Sequence, residues 1–259
     1  SRFLAGQVDE NDLFIHPVKW YAEHNIELRL GASVLAIDAD KNELTLKEGE
    51  KLSFDALVLA TGAFPFVPPF KGADLDGVRV FRTIDDAKKL AVAAKEGTTC
   101  VCIGGGILGL ETAGALARRG VAVTLLENAE WLLPHQLDKT GGVLLERWVN
   151  QQGIHIKRSV TVSEIVGDTK AIGVRLDTGE FLGADFVVIT AGVRSNAVLA
   201  KAAGIATQHG ILVDDFLRTT HPRVFAAGDV AEHQGIVYGL WDPARYQGVI
   251  AGRNAAGAS

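Results

Sequence analysis

The chain has 259 residues, 47% of them hydrophobic, and a formal net charge of −5. This length fits two nucleotide-sized units better than one small domain. The acidic balance argues against nucleic acid as the main partner, and no apolar run approaches the roughly 20 residues that cross a bilayer. The two cysteines, Cys100 and Cys102, share one face of a predicted strand. They are expected to be buried thiols in a reducing cytoplasm.

The first 97 residues are predicted to be β-rich after a helical or irregular start over 1–25. Three prolines within 61–72 indicate a connection that crosses the fold. Thr83 and Asp86 are spaced as a capping box, which predicts a helix from there to about residue 95. The strands predicted here cover residues 26–30, 33–38, 43–47, 51–54 and 56–60.

From residue 98 onward, predicted strands and helices alternate, which is typical of a parallel sheet covered by helices. The predicted helices cover 107–119, 137–152 and 243–256. The predicted strands cover 98–103, 121–126, 154–157, 160–166, 171–177, 186–189, 210–213 and 224–226.

A glycine motif lies between the first strand and the first helix of this series. Gly104, Gly106 and Gly109 fit G-x-G-x-x-G, and Glu127 ends the next strand 23 residues after Gly104. That order is typical of dinucleotide-binding βαβ units. Gly104 allows a sharp turn, Gly106 leaves room for a pyrophosphate, and Gly109 allows the helix to pack closely. The alternative is a glycine-rich turn in an ordinary α/β protein.

The motif predicts which nucleotide binds. Phosphates would face the free N–H groups at the helix start, around Ile107 and Leu108. Glu127 would accept hydrogen bonds from the adenosine ribose, and a carboxylate there repels a 2′-phosphate. No Arg or Lys lies between Asn128 and Gln136. The sequence therefore favours NADH over NADPH.

An internal repeat relates residues 34–62 to residues 162–192. The copies are offset by 130 residues, and they predict two nucleotide-binding folds, each with a β-meander. Chance similarity between two meanders is the alternative. The same offset places the counterpart of Gly104 before residue 1, so the first copy is expected to be truncated at the N-terminus. The matched pairs are Gly49 with Gly179, Leu52 with Leu182, Asp55 with Asp185, and Gly62 with Gly192.

Four motifs in order resemble the FAD- and NAD(P)-dependent pyridine nucleotide oxidoreductases. The stretches 2–12, 20–21 and 136–138 resemble, within that family, the branch of rubredoxin reductases and of the flavoprotein end of NADH-dependent nitrite reductases. The four motifs are Ala60-Thr61-Gly62-Ala63-Phe64-Pro65, the stretch 104–111, Ala191-Gly192-Val193-Arg194, and Ala226-Ala227-Gly228-Asp229-Val230.

The resemblance implies an α/β fold of two Rossmann-like, three-layer nucleotide-binding domains, the first incomplete. The NAD-binding domain is expected at 81–193. It is inserted between 1–80 and 194–259, which form a partial FAD-binding domain.

The resemblance also implies roles for individual residues. Asp229, after Gly228, matches the aspartate that binds the ribityl chain of FAD, although a turn or helix-cap Asp is the alternative. Trp241 precedes the helix that points at the flavin pyrimidine, or it is a core residue. The chain at Ala60, Thr61 and Gly62 is expected to pass close to FAD.

On the NAD side, Glu111 matches a glutamate near the nicotinamide, with an exposed helical Glu as the alternative, and Gly192 borders the site. The histidines show no ligand spacing, so no metal is expected.

The implied reaction is hydride transfer from NADH to FAD, followed by electron transfer to a rubredoxin or an iron–sulfur domain. Two rivals stay open. One is a disulfide, peroxide or NADH oxidase-type reductase with its reactive cysteine upstream of residue 1. The other is a non-catalytic NAD-binding fragment. The resemblance leaves a homodimer open.

Overall fold

The structure is a computed structural model that describes residues 1–257, with seventeen strands, six α-helices and a 3₁₀-helix at Glu10–Leu13. The helices are α1 (Val18–Glu23), α2 (Ile84–Ala93), α3 (Ile107–Ala117), α4 (Lys139–Gln151), α5 (Val198–Ala202) and α6 (Trp241–Ala255). The strands are β1 (Val34–Asp38), β2 (Glu43–Leu46), β3 (Lys51–Ser53), β4 (Leu57–Leu59), β5 (Ala63–Pro65), β6 (Val78–Val80), β7 (Thr99–Ile103), β8 (Ala122–Leu126), β9 (Ile154–Lys157), β10 (Val162–Gly167), β11 (Ala171–Leu176), β12 (Phe181–Gly183), β13 (Phe186–Ile189), β14 (Val193–Ser195), β15 (Ile211–Val213), β16 (Val224–Ala226) and β17 (Ala231–His233).

Most predicted elements are confirmed, including the capping box in which Thr83 Oγ1 accepts from the N–H of Asp86. The strand predicted at 26–30 is wrong. Its residues form no strand, and Leu30 is 74% exposed. A stretch of alternating apolar and polar residues becomes a strand only where a neighbouring strand pairs with it. The sequence analysis missed four short strands and one short helix, which are β5, β6, β14, β17 and α5.

Contacts divide the chain into two compact units. Unit 1 contains Ser1–Ile15 and Pro65–Gly192, and unit 2 contains His16–Phe64 and the chain from Val193 onward. These boundaries differ from the predicted ones, since residues 1–15 and 65–80 group with unit 1. Leu4 is fully buried in the core that includes α2 and α3, and its carbonyl accepts from Arg119. The assignment of the units to NAD and FAD stays a prediction.

Unit 1 has three layers. Its central sheet has the order β6-β13-β7-β8-β9, with every neighbouring pair parallel. Cys100 and Cys102 face the core shared with the helices, whereas Val101 and Ile103 face the core beneath the meander β10-β11-β12. Helices, sheet and meander are therefore stacked as expected for a Rossmann-like domain.

The two cysteines are free thiols, as predicted. Their Sγ atoms lie 3.8 Å apart, and burial raises the pKa of the Cys100 thiol.

The internal repeat is confirmed by the strand register. In unit 2, Leu44 pairs with Leu52 across β2 and β3, and in unit 1 Val174 pairs with Leu182 across β11 and β12. Both partners shift by the same 130 residues. Each copy also has an irregularity near the start of its first strand. The two meanders are therefore copies in three dimensions as well as in sequence.

Unit 2 continues from its meander into short parallel pairs. β4 pairs with β16, and β15 pairs with β17. One core lies between the meander, α5 and these strands, and a smaller one lies under α6 around Ala251.

Candidate nucleotide-binding sites

The glycine loop joins β7 to α3 at the carboxyl edge of the unit 1 sheet, where open α/β sheets bind ligands. Gly104 has φ +110°, and a Cβ on it would lie 2.6 Å from the carbonyl oxygen of Thr190. A Cβ on Gly109 would overlap the carbonyl oxygen of Gly104. The packing of unit 1 itself therefore requires glycine at both positions.

Gly106 is different. Its φ of −70° suits any residue, and among the described atoms a Cβ there would meet nothing within 4 Å outside its own helix and chain neighbours. It is the N-cap of α3, and no side chain caps the first turn of the helix. The loop thus leaves open space in front of free N–H groups, which is the arrangement that a pyrophosphate needs. The predicted nucleotide fits this site.

Glu127 is buried, with 9% of its surface exposed. Its Oε2 accepts from the Gly105 N–H at 2.8 Å, and its Oε1 accepts from the Ala129 N–H at 2.8 Å. The predicted ribose-binding acid thus lies directly beside the loop. It also contacts the loop backbone, which the sequence pattern does not predict.

Sequence reasoning missed Thr190, which supports the loop from the end of β13. Its hydroxyl donates to the carbonyls of Ile103 and Gly104, at 3.1 Å each. The signal was present, because Thr190 lies in the repeat beside the Gly192 turn. Gly192 has φ +105°, and its carbonyl accepts from the N–H of Phe66.

Of the helix residues predicted to meet the nucleotide, Ile107 is 44% exposed and Leu108 is half-buried against the helical core. Glu111 is exposed on the next turn of α3. These positions leave the role of Glu111 a prediction.

The fold also brings two cations from outside residues 128–136 close to Glu130. Arg158, just after β9, donates to the carbonyl of Glu130, and its Nε lies 2.7 Å from Glu146 Oε2. Lys139 forms an ion pair with the Glu130 side chain. Both cations are already matched by carboxylates. The preference for NADH stays a prediction.

In unit 2, the predicted FAD residues meet at one sheet edge, since β4 and β16 are parallel and end side by side. Ala60, Thr61 and Gly62 follow β4. The Thr61 hydroxyl donates to the Asn196 carbonyl at 2.7 Å, and the Asn196 N–H donates to the Gly62 carbonyl at 2.8 Å. Asn196 therefore anchors this turn from the chain after β14.

Gly228 and Asp229 follow β16. Gly228 has φ +80°, and its N–H donates to Gln247 Oε1 at 2.8 Å. The Ser195 hydroxyl donates to the Asp229 carbonyl at 2.8 Å. The turn is thus held from α6 and from β14, and Asp229 is half-buried at the sheet edge. These residues fit one end of a flavin nucleotide.

Trp241 is the first residue of α6 and is 68% exposed, so the core-packing alternative is wrong for the described chain. No side chain caps this helix start. In residues 1–257, no helix has the length and apolar character needed to cross a membrane.

Comparisons with known proteins agree with these geometries. The model of the pyridine nucleotide-disulphide oxidoreductase family matches residues 3–248. Nitrite reductase [NAD(P)H] from Bacillus subtilis (strain 168) is 36% identical over 258 residues, which are 99% of this chain and 32% of that protein. The chain spans about a third of the length of the first curated relatives that it matches.

Two solved structures share the fold over 99% of this chain and 64% of theirs. The covalent putidaredoxin reductase–putidaredoxin complex has a TM-score of 0.91 and 29% identity. NADH:rubredoxin oxidoreductase from Clostridium acetobutylicum has a TM-score of 0.82 and 30% identity. The resemblance and fold class predicted from the four motifs are thereby confirmed, and the chain belongs to the pyridine nucleotide-disulphide oxidoreductase family.

Proposed function

We propose that this chain is the nucleotide-binding part of an FAD-dependent NADH oxidoreductase that delivers electrons to a protein acceptor. The observation that carries the proposal is Gly106. The packing of the chain requires glycine at Gly104 and Gly109 but not at Gly106. A ligand phosphate in the open space beside Gly106 would account for the remaining glycine of the motif.

The residues of unit 1 would bind and orient NADH. The N–H groups at the start of α3 would receive the pyrophosphate, and the positive end of the helix dipole favours its charge. Glu127, near the end of β8, would accept from the ribose hydroxyls. Its negative charge disfavours a 2′-phosphate.

The residues of unit 2 would hold FAD. Asp229 would bind the ribityl chain, and the backbone of the Thr61-Gly62 turn would lie close to the nucleotide. The start of α6 would stabilise negative charge that develops on a reduced flavin. When bound, FAD supplies the ring that accepts a hydride and passes on electrons, and the protein supplies position and electrostatics.

The proposed acceptor is a rubredoxin or an iron–sulfur domain. This is supported by similarity to an NADH:rubredoxin oxidoreductase, a putidaredoxin reductase and a nitrite reductase. A dithiol mechanism within the described chain is disfavoured, because both cysteines are fully buried and burial raises the pKa of Cys100.

The test is reduction of bound flavin. The protein is mixed with FAD, freed of excess, and titrated with NADH without oxygen. Bleaching of the visible flavin absorbance is expected, and an Asp229→Asn variant should retain less FAD. Protein that binds NADH but no FAD would contradict the flavin half of the proposal, and protein that binds neither would contradict all of it.

A further inference from the structure

Gly105 is buried, although the G-x-G-x-x-G pattern leaves its position free. A Cβ on Gly105 would lie 2.8 Å from Glu127 Oε2 and 3.0 Å from Leu132 Cδ2. A larger residue would push the Glu127 carboxylate away from the loop. The third consecutive glycine is therefore explained by a contact within the protein.

That contact belongs to a pair of hydrogen bonds around one carboxylate. Glu127 accepts from the N–H of Gly105 and from the N–H of Ala129, both at 2.8 Å. Hydrogen bonds to an ionised acceptor are about twice as strong as neutral ones. Because only 9% of the surface of Glu127 is exposed, water competes little for these hydrogen bonds. One side chain therefore joins the glycine loop to the chain after β8.

We infer that Glu127 is a positioning residue for the glycine loop, which it orders before any nucleotide arrives. This goes beyond recognition of the ribose. The predicted effect of Glu127 on NADH affinity rests on the proposed function, whereas its ordering of the loop does not. An ordered loop loses less conformational freedom when a ligand binds, so the hydrogen-bond pair should strengthen nucleotide binding.

The two roles of Glu127 are compatible. An ionised carboxylate offers about four lone-pair positions, and the two backbone N–H groups use two of them. The remaining positions are available to ribose hydroxyls through the exposed part of the side chain.

The first test follows single amides by hydrogen exchange in nucleotide-free protein. In Glu127→Ala, the Gly105 and Ala129 amides should exchange about tenfold faster or more, since each loses a charge-assisted bond. The Gly104 amide donates to the Leu126 carbonyl at 2.9 Å and serves as the control within the same loop. Unchanged exchange at Gly105 would overturn the inference.

If the alanine variant does not fold, Glu127→Gln decides the question. Its carboxamide has about the same volume but one accepting oxygen, so only one of the two amides can keep its partner. Loss of protection at one of them, with Gly104 unchanged, supports the inference. Full protection at both amides would overturn it.

The consequence for the nucleotide is tested with Glu127→Asp. The shorter side chain keeps the charge and loses the reach to Gly105. We expect NADH to bind several-fold more weakly, whereas the preference for NADH over NADPH is kept. Wild-type affinity in this variant would overturn the claim that Glu127 prepares the loop. A wild-type protein that binds no NADH would contradict the proposed function, and the exchange of Gly105 would still decide the role of Glu127.

Discussion

The meanders of unit 1 and unit 2 have the same register. The strand that follows each meander pairs with a parallel strand, starting from the corresponding residue. Leu57 of β4 pairs with Val224, and its counterpart Val187 of β13 pairs with Val78. The units differ on the other side of that strand. β13 also pairs with β7, whereas within residues 1–257 β4 has β16 as its one named neighbour.

This difference separates two kinds of site. In unit 1 the chain continues from β7 through the glycine loop into α3, so the described residues contain the whole turn that is proposed to bind phosphate. In unit 2 they contain the sheet edge around Thr61 and Asp229. The repeated strands thus form a common scaffold, and the strand next to the repeat differs between the units. Under the proposed function, that strand determines which part of a nucleotide each unit holds.

The substitution expected to destabilise the protein most lies in the glycine loop of unit 1. Gly109→Ala places a methyl group on the Gly104 carbonyl oxygen, and overpacking of this kind costs about 3 kcal/mol. Urea unfolding should show this loss of stability, and titration of the folded variant with NADH should show a loss of binding.

The matched change in unit 2 is Gly228→Ala, whose Cβ would lie 3.5 Å from the Ala244 Cβ, an ordinary contact. It should cost roughly 1 kcal/mol, from its positive φ alone. Equal losses of stability in the two variants would contradict the different packing of the two turns.

A smaller effect tests the equivalence of the meanders. Gly49 and Gly179 occupy corresponding turns with φ of +88° and +87°, and a Cβ at either would be in open space. Each alanine substitution should therefore destabilise the protein by the same amount, roughly 1–2 kcal/mol. Urea denaturation of both variants measures this. If the two variants differed in stability by more than the destabilisation expected for either one, the turns would not be equivalent.

The smallest effect concerns the attachment of the unit 1 meander to β7. The backbone N–H and the hydroxyl of Thr99 both donate to the Asp185 carboxylate. These hydrogen bonds, the backbone one most, lower the pKa of Asp185. Because this pKa is lower in the folded state, the ionised Asp185 carboxylate stabilises the fold at pH values above its unfolded pKa of about 3.9. This stabilisation is lost as the pH falls through the folded-state pKa. Asp185→Asn should therefore melt below wild type at pH 7. The gap should narrow toward about pH 3.

Melting temperatures of both proteins at the two pH values measure this. A gap of the same size at both would indicate a packing effect, with no contribution from the charge of Asp185.

Many of these features could be predicted from the sequence, because tight turns and close backbone contacts require glycine, which is visible in the sequence. Gly104, Gly109 and the 130-residue offset are examples. Contacts between distant segments leave no such trace. The burial of Leu4 in unit 1, the approach of Arg158 to Glu130 and the pairing of Gly105 with Glu127 depend on the fold.

The strand expected at 26–30 shows the opposite error. Its three apolar residues alternate with Glu27 and Arg29, but a strand forms only where another strand pairs with it, and the local sequence does not report that partner. In the candidate sites, the residues of the motifs were predictable, whereas a residue that supports a motif only through the fold, such as Gln247, was not.

The proposed function requires the open space at Gly106 to hold the pyrophosphate of NADH. Calorimetric titration of wild type and Gly106→Ser with NADH tests it most directly. Serine is a preferred N-cap residue, so the variant should melt at or above the wild-type temperature. Its side chain would fill the space, and NADH should bind roughly 10- to 100-fold more weakly. Equal NADH affinity in two equally stable proteins would contradict the account.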